Sequence, residues 1–425
     1  MSSPILLQKA TTPTVQNNTP KWGSKITLGI SVFALTLIGV LPRVHAQSAA
    51  DVMAVPGVVS HSDILAIMGG QQNAPYAAFV KTGGAVEMLS GLPPTGLTYR
   101  VALNSHDTGL IGGTSGVNAY AALVGPNGIM RPIEHLIAPG EIYSVALSDS
   151  GRGMIGGGHF ASNIPYAALV SPTGKAHALD VPASGLIYSV AIDKSNQGII
   201  GGTGPSNSAY AAFVSPRGVV EPIQGLPVPG AIYWVAVADS QWRFIGGQDH
   251  DSLYAAFVSR QGDVRPIANL PQGINYSVAI NKNRAAIMGG TSQSLPFAAL
   301  VSPQGHVTPI SNLPSTNGII YTVAINDSGT GLIAGFSTAG PYGAFVAPDG
   351  TLTPLKGLPT GDGFLDGIAL DSSGSAIVGG ESNGAPFAAL ASPTGDLTYL
   401  QGLPANGAIN SISPAMTNKI HGSPQ

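Results

Sequence analysis

The densest group of chemistry-bearing side chains in the sequence is Asp249-His250-Asp251, three consecutive potential metal ligands. Side chains alternate in direction along an extended segment, and no second pair of ligands stands at metal-site spacing, so the segment reads as a solvated loop. No metal is expected. His159 and His177 are isolated in the chain. A second series is more regular: Tyr99, Tyr143, Tyr188, Tyr233, Tyr276 and Tyr321 open corresponding runs, and the two remaining corresponding positions carry Asp366 and Asn410. Phenols so placed could stack on a sugar or hydrogen-bond a polar ligand, or pack between structural units with the hydroxyl bonded at a rim. The exceptions Asp366 and Asn410 mark the sector where a local polar site is expected. Trp234 and Trp242 also break the pattern, and with His250 they mark a second candidate contact site, although core packing is the expected role of both indoles.

Covalent and phosphate chemistry find no footing. There is no Gly-x-Ser-x-Gly elbow, no phosphate loop and no nearby pair of candidate catalytic carboxylates, so no catalytic residue and no cofactor is assigned. Cysteine is absent. That excludes disulfides, thiol catalysis, thiolate zinc and acylation at a lipoprotein cysteine. With 18 basic against 21 acidic residues and a formal charge of −3, the chain offers no basic stripe, and no nucleic-acid partner is expected.

These residues sit in a repeat. An aromatic-Ala-Ala marker, once aromatic-Gly-Ala, begins at Tyr76, Tyr120, Tyr166, Tyr210, Tyr254, Phe297, Tyr342 and Phe387, at intervals of 44, 46, 44, 44, 43, 45 and 45 residues. That period suits four-stranded propeller blades. Within residues 320–355 the runs YTVAI, GLIAG, YGAFVAP and TLTPL alternate with NDSG, STAGP and PDG. Short runs rich in β-branched and aromatic residues, punctuated by turn formers, read as strands A to D of one meandering sheet. Leu-Pro pairs such as Leu226-Pro227 and Leu313-Pro314 end strand D and start the crossing to the next blade, because proline cannot donate to a ladder. The expected fold is all-β, an eight-bladed β-propeller spanning 60–413. Its first blade lacks a good strand A, while residues 408–413 match a strand A with nothing complete after them, so the C-terminal strand is expected to complete blade 1 and close the ring.

The pattern VAINDSGTGLIAG…AFVAPDG resembles NHL-type propellers, in which the strand before the (D/N)xxG turn is innermost. It also resembles the HAF repeats of bacterial extracellular proteins, with YAAFV in the place of the HAF segment. The resemblance covers about residues 55–422 and implies a fold more than an activity.

Before the repeat, residues 1–25 contain Lys9, Lys21 and Lys25 and no acid, residues 26–41 are mostly apolar, and PRVHAQ follows. Small residues Val44 and Ala46 at −3 and −1 complete a secretory signal over 1–46, with cleavage expected after Ala46. Sixteen residues rise about 24 Å as a helix, short of a hydrocarbon core of about 30 Å, which disfavours an anchor. The long basic region resembles the extended leaders of large autotransporters, whose membrane barrel this chain lacks. A linker over 47–59 and a tail over 414–425 flank the propeller.

The C–D turns are near-uniform, GPNG, SPTG, SPRG, SRQG, SPQG, APDG and SPTG, whereas the B–C loops vary, from QQNAP and GHFASNIP to QDHDSL and ESNGAP. A varied face on a rigid array is the default recognition surface. The expected function is an exported bacterial surface or envelope module, monomeric, in the periplasm, at the outer membrane surface or outside the cell. It would bind a protein or glycan through the B–C and D–A loops and meet a membrane only in export. Two alternatives remain: a propeller-type lyase or glycoside hydrolase using Asp366, and a structural envelope module without a ligand.

Overall fold

The structure is a computed structural model and describes residues 63–238 and 241–415. The leader, its expected cleavage point, the linker and most of the tail lie outside the described residues.

Eight four-stranded antiparallel sheets are arranged in a ring. Seven blades run in chain order from strand A inside to strand D outside. The innermost strands of blades 2 to 8 are Thr98–Leu103, Glu141–Leu147, Leu186–Ile192, Gly230–Val237, Ile274–Ile280, Gly318–Ile325 and Gly363–Leu370. Blade 1 takes its inner strand, Ala408–Pro414, from the C-terminus, paired antiparallel with Ile64–Gln71. The closing strand is one residue longer at its C-terminal end than the sequence pattern indicated, and Pro414 belongs to it. Every inner strand packs against the inner strands on both sides. Helical structure among the described residues amounts to three short 3-10 turns, Thr82–Gly84, Phe160–Ser162 and Pro205–Asn207, and no helix there is long and apolar enough to cross a membrane.

The blades adhere through aliphatic layers that adjacent sheets share. Between blades 2 and 3, for example, Leu110 and Ala121 meet Ile142, Val145 and Ile155, all buried. Each such Leu, Ile or Val removed from water contributes about 1.5–3 kcal/mol. Strand C is sandwiched between neighbouring blades on both faces, so in Tyr76-Ala-Ala-Phe79-Val80 no residue is more than 4% exposed. Alanines in the marker therefore reflect a narrow gap between sheets. Polar latches supplement the packing. The amides of Val190, Val235 and Val323 donate to Ser144, Ser189 and Ser277 Oγ of the preceding blade's strand A at 3.1, 3.1 and 3.2 Å.

One face of the ring is built from turns. In the A–B turns, Asn281 Oδ1 accepts from the amides of Asn283 and Ala285, while its Nδ2 donates to Asn326 O of the next blade at 2.9 Å. Asn326 repeats the reach to Asp371 O at 3.1 Å. The C–D turns close by a bond from the fourth amide to the first carbonyl, as from Gly174 to Ser171 at 2.9 Å. Gly174 has φ +85, the left-handed conformation that favours glycine there.

The opposite face carries the B–C loops and the D–A crossings, which are tied to one another by backbone bonds. Gly140 donates to Val117 O, Gly185 to Asn163 O, His250 to Pro229 O and Gly273 to Asp251 O. The loops that vary in sequence are thus held on a common frame.

Candidate functional site

Each inner strand begins on the loop face and carries one irregularity near its start. Its pairing with strand B skips a single residue, and the skipped residues are Tyr99, Tyr143, Tyr188, Tyr233, Tyr276, Tyr321, Asp366 and Asn410. They are the eight positions that stood out in the sequence. A β-bulge leaves the extra residue out of the ladder and re-aims its side chain, so the ring of bulges sets a ring of side chains at the channel mouth.

The bulge also explains the Gly-Gly that ends strand B. A Cβ on the second glycine of Gly69-Gly70, Gly112-Gly113, Gly156-Gly157, Gly201-Gly202, Gly246-Gly247, Gly289-Gly290 or Gly379-Gly380 would run into a strand A carbonyl oxygen, that of Ala408, Leu97, Glu141, Leu186, Ala231, Ile274 or Phe364 in turn. Blade 7 has Ala334-Gly335, and there too a Cβ on the second residue would meet Ile319 O.

The tyrosines touch around the mouth. Ring centroids from Tyr99 to Tyr143, Tyr188, Tyr233 and Tyr276 are successively 5.7, 6.3, 5.5 and 6.1 Å apart, in tilted or edge-on contacts that suit aromatic pairs. Tyr321 stacks on Phe336 and meets Phe364 edge-on instead. Burial raises every one of these phenols, with Tyr233 at about 12, so they are neutral donors at ordinary pH.

Glu141 stands in this rim as the first residue of the inner strand of blade 3. Tyr99 donates to its Oε2 at 2.8 Å, Tyr143 also bonds to it, and His159, at the end of strand B of blade 3, is close enough to act on its charge. Burial raises the Glu141 carboxyl above its ordinary 4.5, against the lowering effect of the two phenols and of His159. The folded protein therefore holds this proton more tightly than the unfolded chain, and stability falls as pH rises from 4.5 through the raised value. The variant Glu141→Gln keeps an acceptor for Tyr99 and has no charge to bury. Its melting temperature should gain on the parent's as pH climbs from 4.5; parallel curves would refute the assignment.

Just inside the mouth, three residues that depart from the repeat meet across the lumen. Arg100 stands where other blades have Ser144, Ser189, Ser277, Thr322 and Ser411. Its guanidinium lies 4.8 Å from the ring centre of Trp234 of blade 5. It donates to Asn410 O of blade 1 at 2.8 Å and lies 3.9 Å from Asp366 Oδ1 of blade 8. Asn410 Nδ2 in turn donates to Thr98 O at 2.9 Å. Asp366 lines the lumen and retains 28% side-chain exposure within the enclosing ring. That enclosure raises its carboxyl, and Arg100 opposes the rise. The lumen here is a cavity of ≈ 260 Å³.

The structure thus brings Asp366 and Asn410 together, as their adjacency in the ring implied, and adds Arg100 and Glu141, neither of which sequence reasoning singled out. Arg100 was findable, since it replaces a small hydroxyl residue at a fixed repeat position. Trp242 packs as expected, edge-on to Phe257 with the Arg284 guanidinium 3.8 Å from its ring centre. Trp234 departs from the expected core role: it leans on the blade 6 core but also lines the lumen. The Asp249-His250-Asp251 loop lies apart from the lumen group. His250 Nδ1 is 2.7 Å from Asp249 Oδ1, both side chains are exposed, and Asp249 borders a separate rim pocket with Leu226, Leu253 and Tyr254. Among the described residues no three His, Asp or Glu side chains gather as a metal site.

Ring, closing strand and bulges define the class: an eight-bladed β-propeller module. No family model and no curated protein matches the chain. Solved structures do. The Dos1 propeller is 9% identical, with 75% of this chain and 90% of that chain covered and a TM-score of 0.56. Catalytically inactive virginiamycin B lyase from Staphylococcus aureus, with quinupristin, is 9% identical over 67% and 91%, with a TM-score of 0.51. A Lactobacillus plantarum protein is 12% identical over 82% and 98%, with a TM-score of 0.50. At these identities the likeness shows the fold alone.

Proposed function

We propose that the protein is an exported bacterial surface or envelope propeller that binds a protein or glycan partner through its B–C and D–A loops. One observation carries this reading: of the nine large apolar side chains exposed among the described residues, five stand on that face, while Met88, Ile129, Val219 and Tyr399 belong to strand D or the turn into it. Val117, Phe160, Ile164, Val228 and Leu295, at 76, 59, 46, 66 and 40% exposure, all belong to B–C hairpins or a D–A crossing of blades 2 to 6. Exposed apolar residues on a frame fixed by backbone bonds mark an interaction surface. His159 and Asp249 to Asp251 border the same arc and add polar contacts. The enzyme alternative gains no support from Asp366, whose charged neighbour is Arg100; two-carboxylate hydrolysis needs a second acid within about 5–10 Å. Export rests on the leader read from residues 1–46.

The test is a screen of the secreted protein against glycan and host-protein arrays, followed by the variant Val117→Ser/Phe160→Ser and by replacement of loop 249–251. Binding should weaken about tenfold or more when contact residues near the centre of the interface are lost. Binding indifferent to these changes would overturn the loop-face reading, and an N-terminus other than Gln47 would overturn the expected cleavage.

A further inference from the structure

Inside the mouth, the lumen presents two opposite charges that are held near each other without closing on each other. Arg100 Nη1 and Asp366 Oδ1 are 3.9 Å apart, beyond hydrogen-bond distance. Among the described residues no hydrogen bond closes on the Asp366 carboxylate. The guanidinium, by contrast, is fixed from behind by its contact with Trp234 and its bond to Asn410 O, which leaves further donors of its planar fork for a carboxylate. A buried carboxylate gains most from a charged donor, and a buried guanidinium from a bidentate acceptor.

One residue further along the inner strands, Val101, Val145, Val190, Val323, Ile368 and Ile412 pack mainly between blades and show the lumen only their edges, 5–9% exposed, beside Ser144, Ser189, Thr322, Ser411 and Ser413. The cavity therefore pairs one cation and one anion with a lining of aliphatic edges and hydroxyl residues. Its ≈ 260 Å³ lies near the lower end of small-molecule sites, about 300 Å³. A sugar would use the indole face for stacking, but the Arg100 guanidinium covers a face of Trp234. A ligand with ammonium and carboxylate on one carbon and an apolar side chain matches all three features.

We propose that the lumen binds a small zwitterion, an α-amino acid with an apolar side chain. Its carboxylate faces Arg100, its ammonium faces Asp366 and its side chain lies along the aliphatic edges. This site is separate from the loop face, and neither proposal depends on the other.

The test is titration calorimetry of the full secreted chain with L-leucine, N-acetyl-L-leucine, L-leucinamide and glucose. Leucine should bind, and blocking either its ammonium or its carboxylate should weaken binding about tenfold or more, as loss of one charge-assisted hydrogen bond does. Asp366→Asn should remove the penalty for N-acetylation while keeping that for amidation, and Arg100→Gln should do the reverse. The blocked ligands probe the parent protein, so the proposal stays testable even if a variant folds poorly. No binding of leucine, equal binding of leucine and both blocked forms, or glucose bound in its place would overturn it. Leucine binding that survives the loop substitutions separates this site from the loop face.

Discussion

Replacing Arg243 with methionine should lower the stability of the propeller by about 3–5 kcal/mol, the cost of leaving one partner of a buried ion pair without the other. Arg243 is the second residue of strand B of blade 5, Trp242–Asp249, at a position where other blades have Ala66, Gly109, Gly153, Gly198, Ala286, Gly331 or Ala376. Its side chain is 0% exposed, and Nη2 donates to Asp193 Oδ2 of blade 4 at 2.9 Å, with Asp193 1% exposed. The other carboxylate oxygen serves the A–B turn of blade 4, accepting from the amides of Ser195 and Gln197 at 2.8 and 2.9 Å. The guanidinium also lies over Phe213, 5.6 Å from its ring centre. Methionine fills much of the same space but leaves Asp193 Oδ2 buried against aliphatic groups.

The chain itself shows how the loss is reversed. Blades 6 and 7 place Asn281 and Asn326 at the turn position of Asp193, keep both amide bonds (Asn281) or the second of them (Asn326) through Oδ1, and donate through Nδ2 to the next blade. The double variant Asp193→Asn/Arg243→Met should therefore recover most of the stability that Arg243→Met loses. Urea midpoints at unchanged slope measure both effects. A loss below about 1 kcal/mol in the single variant, or a double variant worse than the single, would show that the pair does not bind blade 4 to blade 5 in this way.

The second large effect distinguishes two neighbouring glycines. Gly290→Ala should cost more than about 4 kcal/mol, in the range that only severe, localised conflicts reach. A Cβ there would overlap Ile274 O and approach Asn275 Cα to 3.0 Å, and backbone cannot rotate away as a side chain can. Gly289→Ala meets only side chains of the next blade, Ile320 Cγ2 at 2.5 Å and Val323 Cγ1 at 2.6 Å. Overpacking of that kind costs about 1–3 kcal/mol. Blade 7 already tolerates Ala334 at the first position. Thermal unfolding of the two variants should rank Gly290→Ala far below Gly289→Ala, and similar melting temperatures would contradict the bulge as the cause.

The rank order of these glycines shows how far the repeat alone could be read. Spacing and turn residues were enough to place four strands per blade, eight blades and a C-terminal closing strand, because strand periodicity and turn chemistry are local, whereas strand A as the innermost came from the resemblance to NHL-type propellers. The invariance of the second glycine within the chain was visible, but its cause was not: the obstructing carbonyl belongs to a bulge, and a bulge is a mismatch between two strands. The eight bulge residues were likewise visible as a series, without the property that unites them.

Contacts between repeats were a different matter. Arg243 reads in sequence as a charged residue near a strand end, where a solvated side chain is the ordinary expectation, and only the stacking of blade 4 on blade 5 buries it against Asp193. Arg100, Trp234 and Asp366 lie in blades 2, 5 and 8, and nothing in their local pattern relates them. The sequence by itself determined the blade and its repetition, since both follow from neighbours along the chain. Which departures from the repeat meet was decided by closure of the ring, because the channel width and the reach of long side chains set contacts between blades that never pair.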